Sequence, residues 1–242
     1  MPVMKSNAGI TYFLEGIKAS IPITLGYFAV SAAYGMAAVI QGMTVTQAAV
    51  TSLSNLTSAG QFAGTTLICA GASIAELILT ELVINARYFL MAISLAQKVG
   101  NEVPLWKRML MAYGITDEIY AVAISEKGKL RFSWFMGLVF APVIGWTAGT
   151  VLGAVASSAL PADVVNALGL SMYGMFIAIF VPAARKDKAV FCCVALSIAF
   201  SCLFSFLPGL KNLGSGYSII LITVGVSALM AWIFPRKDED EQ

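Results

Sequence analysis

Long runs of hydrophobic residues alternate with short polar connections along this chain of 242 residues. Five uncharged runs reach the roughly 20 residues that a helix needs to cross a hydrocarbon core about 30 Å thick. They are Ala19–Ile40, Phe132–Ala156, Val164–Ala184, Ala189–Leu207 and Gly216–Phe234. These runs are apolar on almost all sides, whereas a membrane-spanning β-strand alternates over about 10 residues. The pattern therefore predicts an all-α, polytopic integral membrane protein.

A polar break interrupts the longest stretch without charge, which runs from Ala19 to Ala75. Its middle reads Ser52-Leu-Ser-Asn-Leu-Thr-Ser-Ala-Gly-Gln-Phe-Ala-Gly-Thr-Thr66. Because lipid cannot satisfy backbone groups, such a break is tolerated only where protein surrounds it or where it lines a cavity. Val45–Ala75 is too long for one straight span and too short for two, so it is predicted to be a broken or re-entrant helix. Ser58 and Gln61 have the spacing of a capping box, in which Ser58 caps the second half-helix and Gln61 reaches back.

A second interrupted segment follows further along the chain. Leu77–Ala96 is predicted to be a span, and Leu110–Ser125 is a shorter apolar segment in which Thr116 is predicted to cap another half-helix. The chain thus has six to eight hydrophobic segments, of which one or two are broken or re-entrant. Two interrupted segments are the pattern expected where half-helices meet at a site near the bilayer midplane.

The positions of the basic residues predict the orientation in the membrane. If both interrupted segments return to the side they left, six spans remain, and of the 15 Lys and Arg only Lys211 lies outside while Arg87 lies within the membrane. In the eight-span alternative, three more basic residues lie outside: Lys98, Lys107 and Arg108. The positive-inside rule favours six spans. Residues 1–242 then form one transmembrane domain, with residues 1–18 and the charged tail 236–242 in the cytoplasm.

Composition excludes several functional classes. With 59% hydrophobic and 12% charged residues, the chain is expected to contact membrane lipid and no nucleic acid. The absence of histidine removes Ser-His and Cys-His dyads and H-E-x-x-H metal sites. The cysteines, which lack C-x-x-C spacing, are expected to pack as small apolar residues. We therefore expect no enzyme activity, no metal and no cofactor.

The candidate chemistry centres on one cation and on the break. A guanidinium within a span is costly and by default marks function. Arg87 is therefore expected to hold a substrate carboxylate. The alternative is a buried pair with Asp117 or Glu118 that fixes helix register. The helix start at the break offers free N–H groups that favour an anion. Its small residues are alternatively explained by close helix packing. The candidate substrate-binding residues are Asn55, Ser58, Gly60, Gln61, Phe62, Asn85 and Arg87.

The acids are candidates for a second role. Asp117, Glu118 and Glu81 are expected to bind an ammonium group or to carry a coupling proton. The alternative for Asp117 and Glu118 is an acid pair that stabilises a helix start. Small residues four apart, from Gly137 to Gly153, form a ridge that is predicted to pack against another helix of the same chain.

These residues resemble the AzlC family of branched-chain amino acid exporters. The matching positions are Gly16, Pro22-x-x-x-Gly26, Ala59-Gly60-Gln61-Phe62, Asn85-Ala-Arg-Tyr88 and Thr116-Asp-Glu118. The resemblance implies a secondary transporter that expels valine, leucine or isoleucine across the cytoplasmic membrane together with a small membrane subunit of the AzlD type. Tyr88 replaces the family's usual histidine, and Ser171 stands where many relatives have an acid. A passive channel or a membrane scaffold is the alternative function.

Overall fold

The computed structural model describes residues 3–100, 102–159, 177, 181–207 and 215–235. Throughout these residues the regular elements are helices. In chain order they are α1 (Val3–Ile40), α2 (Val45–Ser54), α3 (Ala59–Cys69), α4 (Ile74–Ile84), α5 (Ala86–Ala96), α6 (Leu105–Tyr113), α7 (Asp117–Ser125), α8 (Phe132–Ala159), α9 (Lys188–Phe206) and α10 (Ser215–Ile233). Residues 181–186 are also helical.

Four of the described helices are long and apolar enough to cross a membrane. These stretches are Gly9–Ile40, Phe132–Ser157, Lys188–Phe206 and Gly216–Ile233. The pair α4 and α5 would make a fifth, bent by 48° at Asn85. The predicted helical membrane class is confirmed, but six to eight segments is more than the described helices provide. Most of the predicted span Val164–Ala184 lies outside the described residues, as do Ser171, Lys211 and the tail 236–242.

The chain forms two compact units. Unit 1 comprises Met1–Phe62 and Asn85–Gly169, and so contains α1, α2, the first turn of α3, and α5 to α8. Unit 2 comprises Ala63–Ile84 and Leu170–Gln242, and so contains the rest of α3 together with α4, α9 and α10.

The scaffold of unit 1 is the packing of α1 along the whole length of α8. The two helices run parallel, since Gly137 lies against Phe13 near their starts and Gly153 lies against Ala32 near their ends. A β-carbon built on Gly153 would collide with the carbonyl oxygen of Ala32. Such a close approach is available only to residues without a bulky side chain. The predicted packing of the small-residue ridge within the chain is confirmed.

Both predicted helix breaks are present, but one predicted cap is wrong. Between α2 and α3, Ser58 has a left-handed φ of 53° instead of the extended backbone of an N-cap, and the Gln61 amide bonds to other residues. A complete capping box lies instead at the start of α2, where the Thr44 side chain accepts from Gln47 N and the Gln47 side chain accepts from Thr44 N. The predicted Thr116 cap is confirmed, because its side chain accepts a hydrogen bond from the backbone N–H of Ile119 at the start of α7.

The predicted span Leu77–Ala96 corresponds to the bent pair α4 and α5. The helix ends at Ile84 and restarts at Ala86, so Asn85 occupies the N-cap position of α5. The break could not be predicted from the hydrophobic pattern, because apolar residues continue on both sides of it.

The loops before α6 and after α7 are joined side by side. The backbone N–H of Leu130 donates to the carbonyl oxygen of Lys98 at 2.9 Å. The Lys98 ammonium donates to the carbonyl oxygens of Ile124, at 2.7 Å, and Glu126. Residues 97–100, 102–104 and 126–131, hereafter the paired loops, therefore lie together at one end of unit 1. The α6–α7 segment leaves from this end and returns to it.

The start of α1 lies at the same end of unit 1. The Arg131 guanidinium, in the paired loops, stacks over the ring of Tyr12 at 3.9 Å. A cation over an aromatic face is attracted by the electron-rich ring, so this contact ties α1 to the loops.

Candidate functional site

The start of α7 gathers charged groups from two helices of unit 1. Thr116 caps α7, which places Asp117 and Glu118 in its first turn, where the positive end of the helix dipole favours acids. Arg87, near the start of α5, reaches Asp117 with Nη2 at 2.8 Å from Oδ2. The guanidinium also lies over the ring of Tyr88, 5.2 Å from its centroid. Sequence reasoning left two partners open, and the structure selects Asp117.

The Arg87–Asp117 pair is not buried, contrary to the expected buried pair. The two side chains are 47% and 41% exposed. Each side chain therefore leaves room for a further contact.

Glu118 has a different partner, on α1. The Tyr27 hydroxyl donates to Glu118 Oε2 at 2.6 Å and lies equally close, at 2.6 Å, to Thr116 Oγ1. A hydroxyl both donates and accepts, so Thr116 can donate to the Tyr27 oxygen while Tyr27 donates to the carboxylate. We call the residues Tyr27, Arg87, Thr116, Asp117 and Glu118 the α7 cluster.

A second set of polar residues forms a closed ring of hydrogen bonds. The Trp146 indole N–H donates to Gln61 Oε1 at 2.8 Å, and Gln61 Nε2 donates to Ser52 Oγ at 2.6 Å. Ser52 Oγ lies 2.7 Å from Thr150 Oγ1, which donates to the backbone carbonyl of Trp146 at 3.0 Å. All four residues are buried, and each of their side-chain nitrogen and oxygen atoms takes part in a hydrogen bond. We call this set the Gln61 network.

The aromatic rings of Tyr27 and Trp146 connect the two groups. Their centroids are 5.3 Å apart with the ring planes at 71°, an edge-to-face contact that is favourable for aromatic pairs. Tyr27 belongs to the α7 cluster and Trp146 to the Gln61 network. The structure therefore joins the two interrupted segments through side chains of α1 and α8.

The break itself is held in shape by local contacts. Asn55 Oδ1 accepts from the backbone N–H and the hydroxyl of Thr57, at 3.0 and 2.6 Å. The N–H of Phe62 bonds to the carbonyl of Ser58, so the N–H groups of residues 59–61 precede the hydrogen-bond ladder of α3. Gly60 lies within this first turn. The Phe62 ring packs edge-on against Tyr34, with centroids 5.0 Å apart.

Glu81 lies in unit 2, on α4. A β-carbon built on Gly64 would lie 2.6 Å from its Oε1, so the carboxylate faces the glycine of α3. The structure therefore places this candidate between α4 and α3 of unit 2, apart from the α7 cluster.

Sequence reasoning missed Tyr27, Ser52, Trp146 and Thr150. Tyr27 and Trp146 could have been proposed on chemical grounds, because a buried Tyr hydroxyl or Trp N–H usually requires a hydrogen-bond partner. The signal for Ser52 and Thr150 was weak, since a Ser or Thr in a span can bond to the carbonyl of its own preceding turn.

Comparison with known proteins places the chain among membrane proteins. A family model described as AzlC protein matches residues 22–160. The chain is 30% identical over 214 residues to "Inner membrane protein YgaZ" of Escherichia coli strain K12, covering 84% of this chain and 87% of that protein. It is 30% identical over 204 residues to an uncharacterized membrane protein of Archaeoglobus fulgidus, covering 83% and 90%. A third such protein, from Helicobacter pylori strain J99, is 25% identical over 202 residues, covering 79% and 87%. No solved structure matches the chain.

Proposed function

Since the chain belongs to the AzlC family of membrane proteins, we propose that it is a secondary transporter that exports branched-chain amino acids. The observation that carries the proposal is the half-exposed Arg87–Asp117 pair at the start of α7. An α-amino acid is a zwitterion, with one carboxylate and one ammonium group. Such a ligand can replace each member of the pair with a group of the same sign, so the site remains neutral before and after binding.

The roles of the two charges follow from their chemistry. The planar guanidinium of Arg87 presents a fork of N–H donors that matches a carboxylate. The carboxylate of Asp117 would accept from the substrate ammonium. In a water-filled transport pathway, which the proposal places here, an exposed pair contributes about 0–1 kcal/mol, so opening it would cost little of the binding energy.

The break supplies the remaining proposed contacts. Asn55, Ser58, Gly60 and Gln61 shape the start of α3, where N–H groups outside the helical ladder can donate to an anion. Phe62 would offer an apolar surface to an aliphatic side chain, and Asn85, two residues before Arg87, would orient it.

Two further acids are proposed for coupling. Glu118 is held by the Tyr27 hydroxyl, and Glu81 faces Gly64 on α4. Intramembrane carboxylates carry protons in pumps and transporters.

We also propose residence in the cytoplasmic membrane with six spans and both termini in the cytoplasm. The paired loops carry Lys98 together with Lys127, Lys129 and Arg131, which the positive-inside rule assigns to the cytoplasm. Because α1 and α8 both start at this end, the chain between them must cross an odd number of times. With α6–α7 returning and α4–α5 crossing, α2–α3 would return as well.

A small membrane subunit of the AzlD type is proposed as partner, which rests on the family relationship. No enzyme activity, cofactor or nucleic-acid ligand enters the proposal. A passive channel or a scaffold is distinguished from a transporter by the experiment below.

Counterflow in liposomes tests the proposal. Purified protein with its co-purified small subunit should exchange radiolabelled valine, leucine or isoleucine against the unlabelled amino acid, with saturable kinetics. Replacing Arg87 by lysine keeps the charge but loses the fork. Losing one charge-assisted hydrogen bond costs about 1.5 kcal/mol, so exchange should fall about tenfold.

Arg185→Lys is the matched control, because Arg185 is exposed and lies outside the α7 cluster. It should exchange at the wild-type rate. Absence of flux above that of empty vesicles for all three amino acids would overturn the function, and non-saturable flux would indicate a channel.

Labelling of single cysteines tests the topology. In a background with the native cysteines replaced by alanine, cysteines at Glu102 and Lys129 should react with an impermeant maleimide in inverted vesicles and not in intact cells. Gln41, at the other end of α1, should give the opposite result. Labelling of positions 102 and 129 from opposite sides would contradict the returning α6–α7 segment.

A further inference from the structure

Unit 2 contains a buried carboxylate that belongs to neither the α7 cluster nor the Gln61 network. Glu76, in the first turn of α4, is 7% exposed. Its Oε1 accepts a hydrogen bond of 2.8 Å from the backbone N–H of Gly216, at the start of α10. Burying a carboxylate is costly unless its charge is balanced or neutralised.

A buried hydroxyl faces the same position. Thr80 is one turn further along α4 and fully buried, and its Oγ1 has no hydrogen-bond partner in the described part of the chain. A β-carbon built on Gly216 would lie 2.5 Å from Thr80 Oγ1 and 2.9 Å from Glu76 Oε1. Both oxygens therefore converge on the backbone of Gly216. Such an orphaned polar atom is unusual in a native structure and calls for a ligand or a change of state.

The surroundings of Glu76 provide no described cation. α10, which packs against α4, carries Tyr217 as its one ionisable side chain. The part of α3 in unit 2 ends in Cys69, and α4 itself carries Glu81, which faces Gly64. Among the described residues of these three helices there is no Lys or Arg to balance the charge.

We propose that Glu76 and Thr80 form a further proton-coupling site of the transporter, in addition to the proposed carboxylates of Glu118 and Glu81; the assignment rests on the proposed export function. A proton from water on one side binds a Glu76 carboxylate oxygen, and the resulting O–H breaks to release the proton to the other side. Thr80 serves both states, because a hydroxyl donates to a carboxylate and accepts from a carboxylic acid. No bond to the amino acid is made or broken.

A proton fits this site better than a metal ion. Hard cations such as calcium take about six to eight oxygen ligands, more than one carboxylate and one hydroxyl supply.

The experiment compares exchange with coupled transport in the same liposomes. Glu76→Gln is nearly isosteric and keeps an acceptor for Gly216 N–H, but it does not titrate. Valine counterflow should stay within twofold of the wild type, because exchange needs no net proton movement. Valine-driven proton flux, reported by an entrapped pH-sensitive dye, should fall at least tenfold. Glu126→Gln, in an exposed loop, is the matched control and should leave both quantities unchanged.

A second variant addresses the case in which Glu76→Gln does not fold. Thr80→Val keeps the side-chain shape and removes the hydroxyl; it should lower proton flux at least threefold with counterflow retained. Thr223→Val, exposed on α10, is its control. Full proton coupling in Glu76→Gln, or in Thr80→Val if the former is not folded, overturns the coupling site while leaving the export function intact. Absence of counterflow in the wild type overturns the export function itself, and the coupling site with it.

Discussion

Replacing Gly35 by valine is expected to prevent accumulation of the folded protein. A β-carbon at this position would collide with the carbonyl oxygen of Thr150 and would lie 2.8 Å from the backbone nitrogen of Ala154. Both are backbone atoms of α8, so no rotamer change can relieve the clash. The helices would have to separate along the scaffold of unit 1. Size-exclusion chromatography of fluorescently tagged protein in mild detergent should show at least a tenfold loss of the monodisperse peak.

The same substitution at Gly26 is the control. Gly26 lies on the same helix, and a β-carbon built there has nothing within 4 Å. Gly26→Val should keep a monodisperse peak within twofold of the wild type. Equal peak heights for the two variants would show that the close packing of α1 on α8 does not limit folding.

Replacing Gln61 by leucine is expected to cost about 2–4 kcal/mol of stability. The change leaves the Trp146 indole N–H without its acceptor, and it removes the amide that donates to Ser52 Oγ. Each buried group left unsatisfied costs about 1–3 kcal/mol. Thermal unfolding in detergent, followed by tryptophan fluorescence, should show a lower midpoint. Gln97→Leu, at an exposed position of unit 1, should leave the midpoint unchanged.

A double-mutant cycle separates the network from a simple packing effect. Trp146→Phe removes the donor and leaves Gln61 Oε1 unpaired, so it should also destabilise. The combination Gln61→Leu with Trp146→Phe should cost less than the sum of the single changes, because each removes the other's unsatisfied partner. Strict additivity would mean that the hydrogen bond between them contributes nothing.

The sequence predicted those features that depend on local chemistry. The Thr116 cap was predictable because a Thr followed by two acids satisfies a helix start without help from distant residues. The same reasoning failed at Ser58, where Gln61 has the right spacing for a capping box but bonds to Ser52 and Trp146. A local pattern cannot show that a distant indole competes for the same amide.

The contacts between segments were harder to predict from the sequence. The charge of Arg87 predicted an acidic partner from elsewhere in the chain, and two adjacent acids were equally suitable. The choice of Asp117, and the exposure of the pair, depend on where α5 and α7 meet. Tyr27 and Trp146 could not be connected to the site without the parallel register of α1 and α8, which places them side by side.

The backbone contact between α1 and α8 also limits how the molecule can move. Helices that touch through side chains can slide by exchanging rotamers, but helices that touch through glycine and carbonyl groups have no such freedom. Helices α1 and α8 are therefore expected to move as one rigid body throughout any cycle of opening and closing. The displacement needed to admit and release a ligand would then fall on the short helices, with their pivots in the turns at residues 55–58 and 114–116.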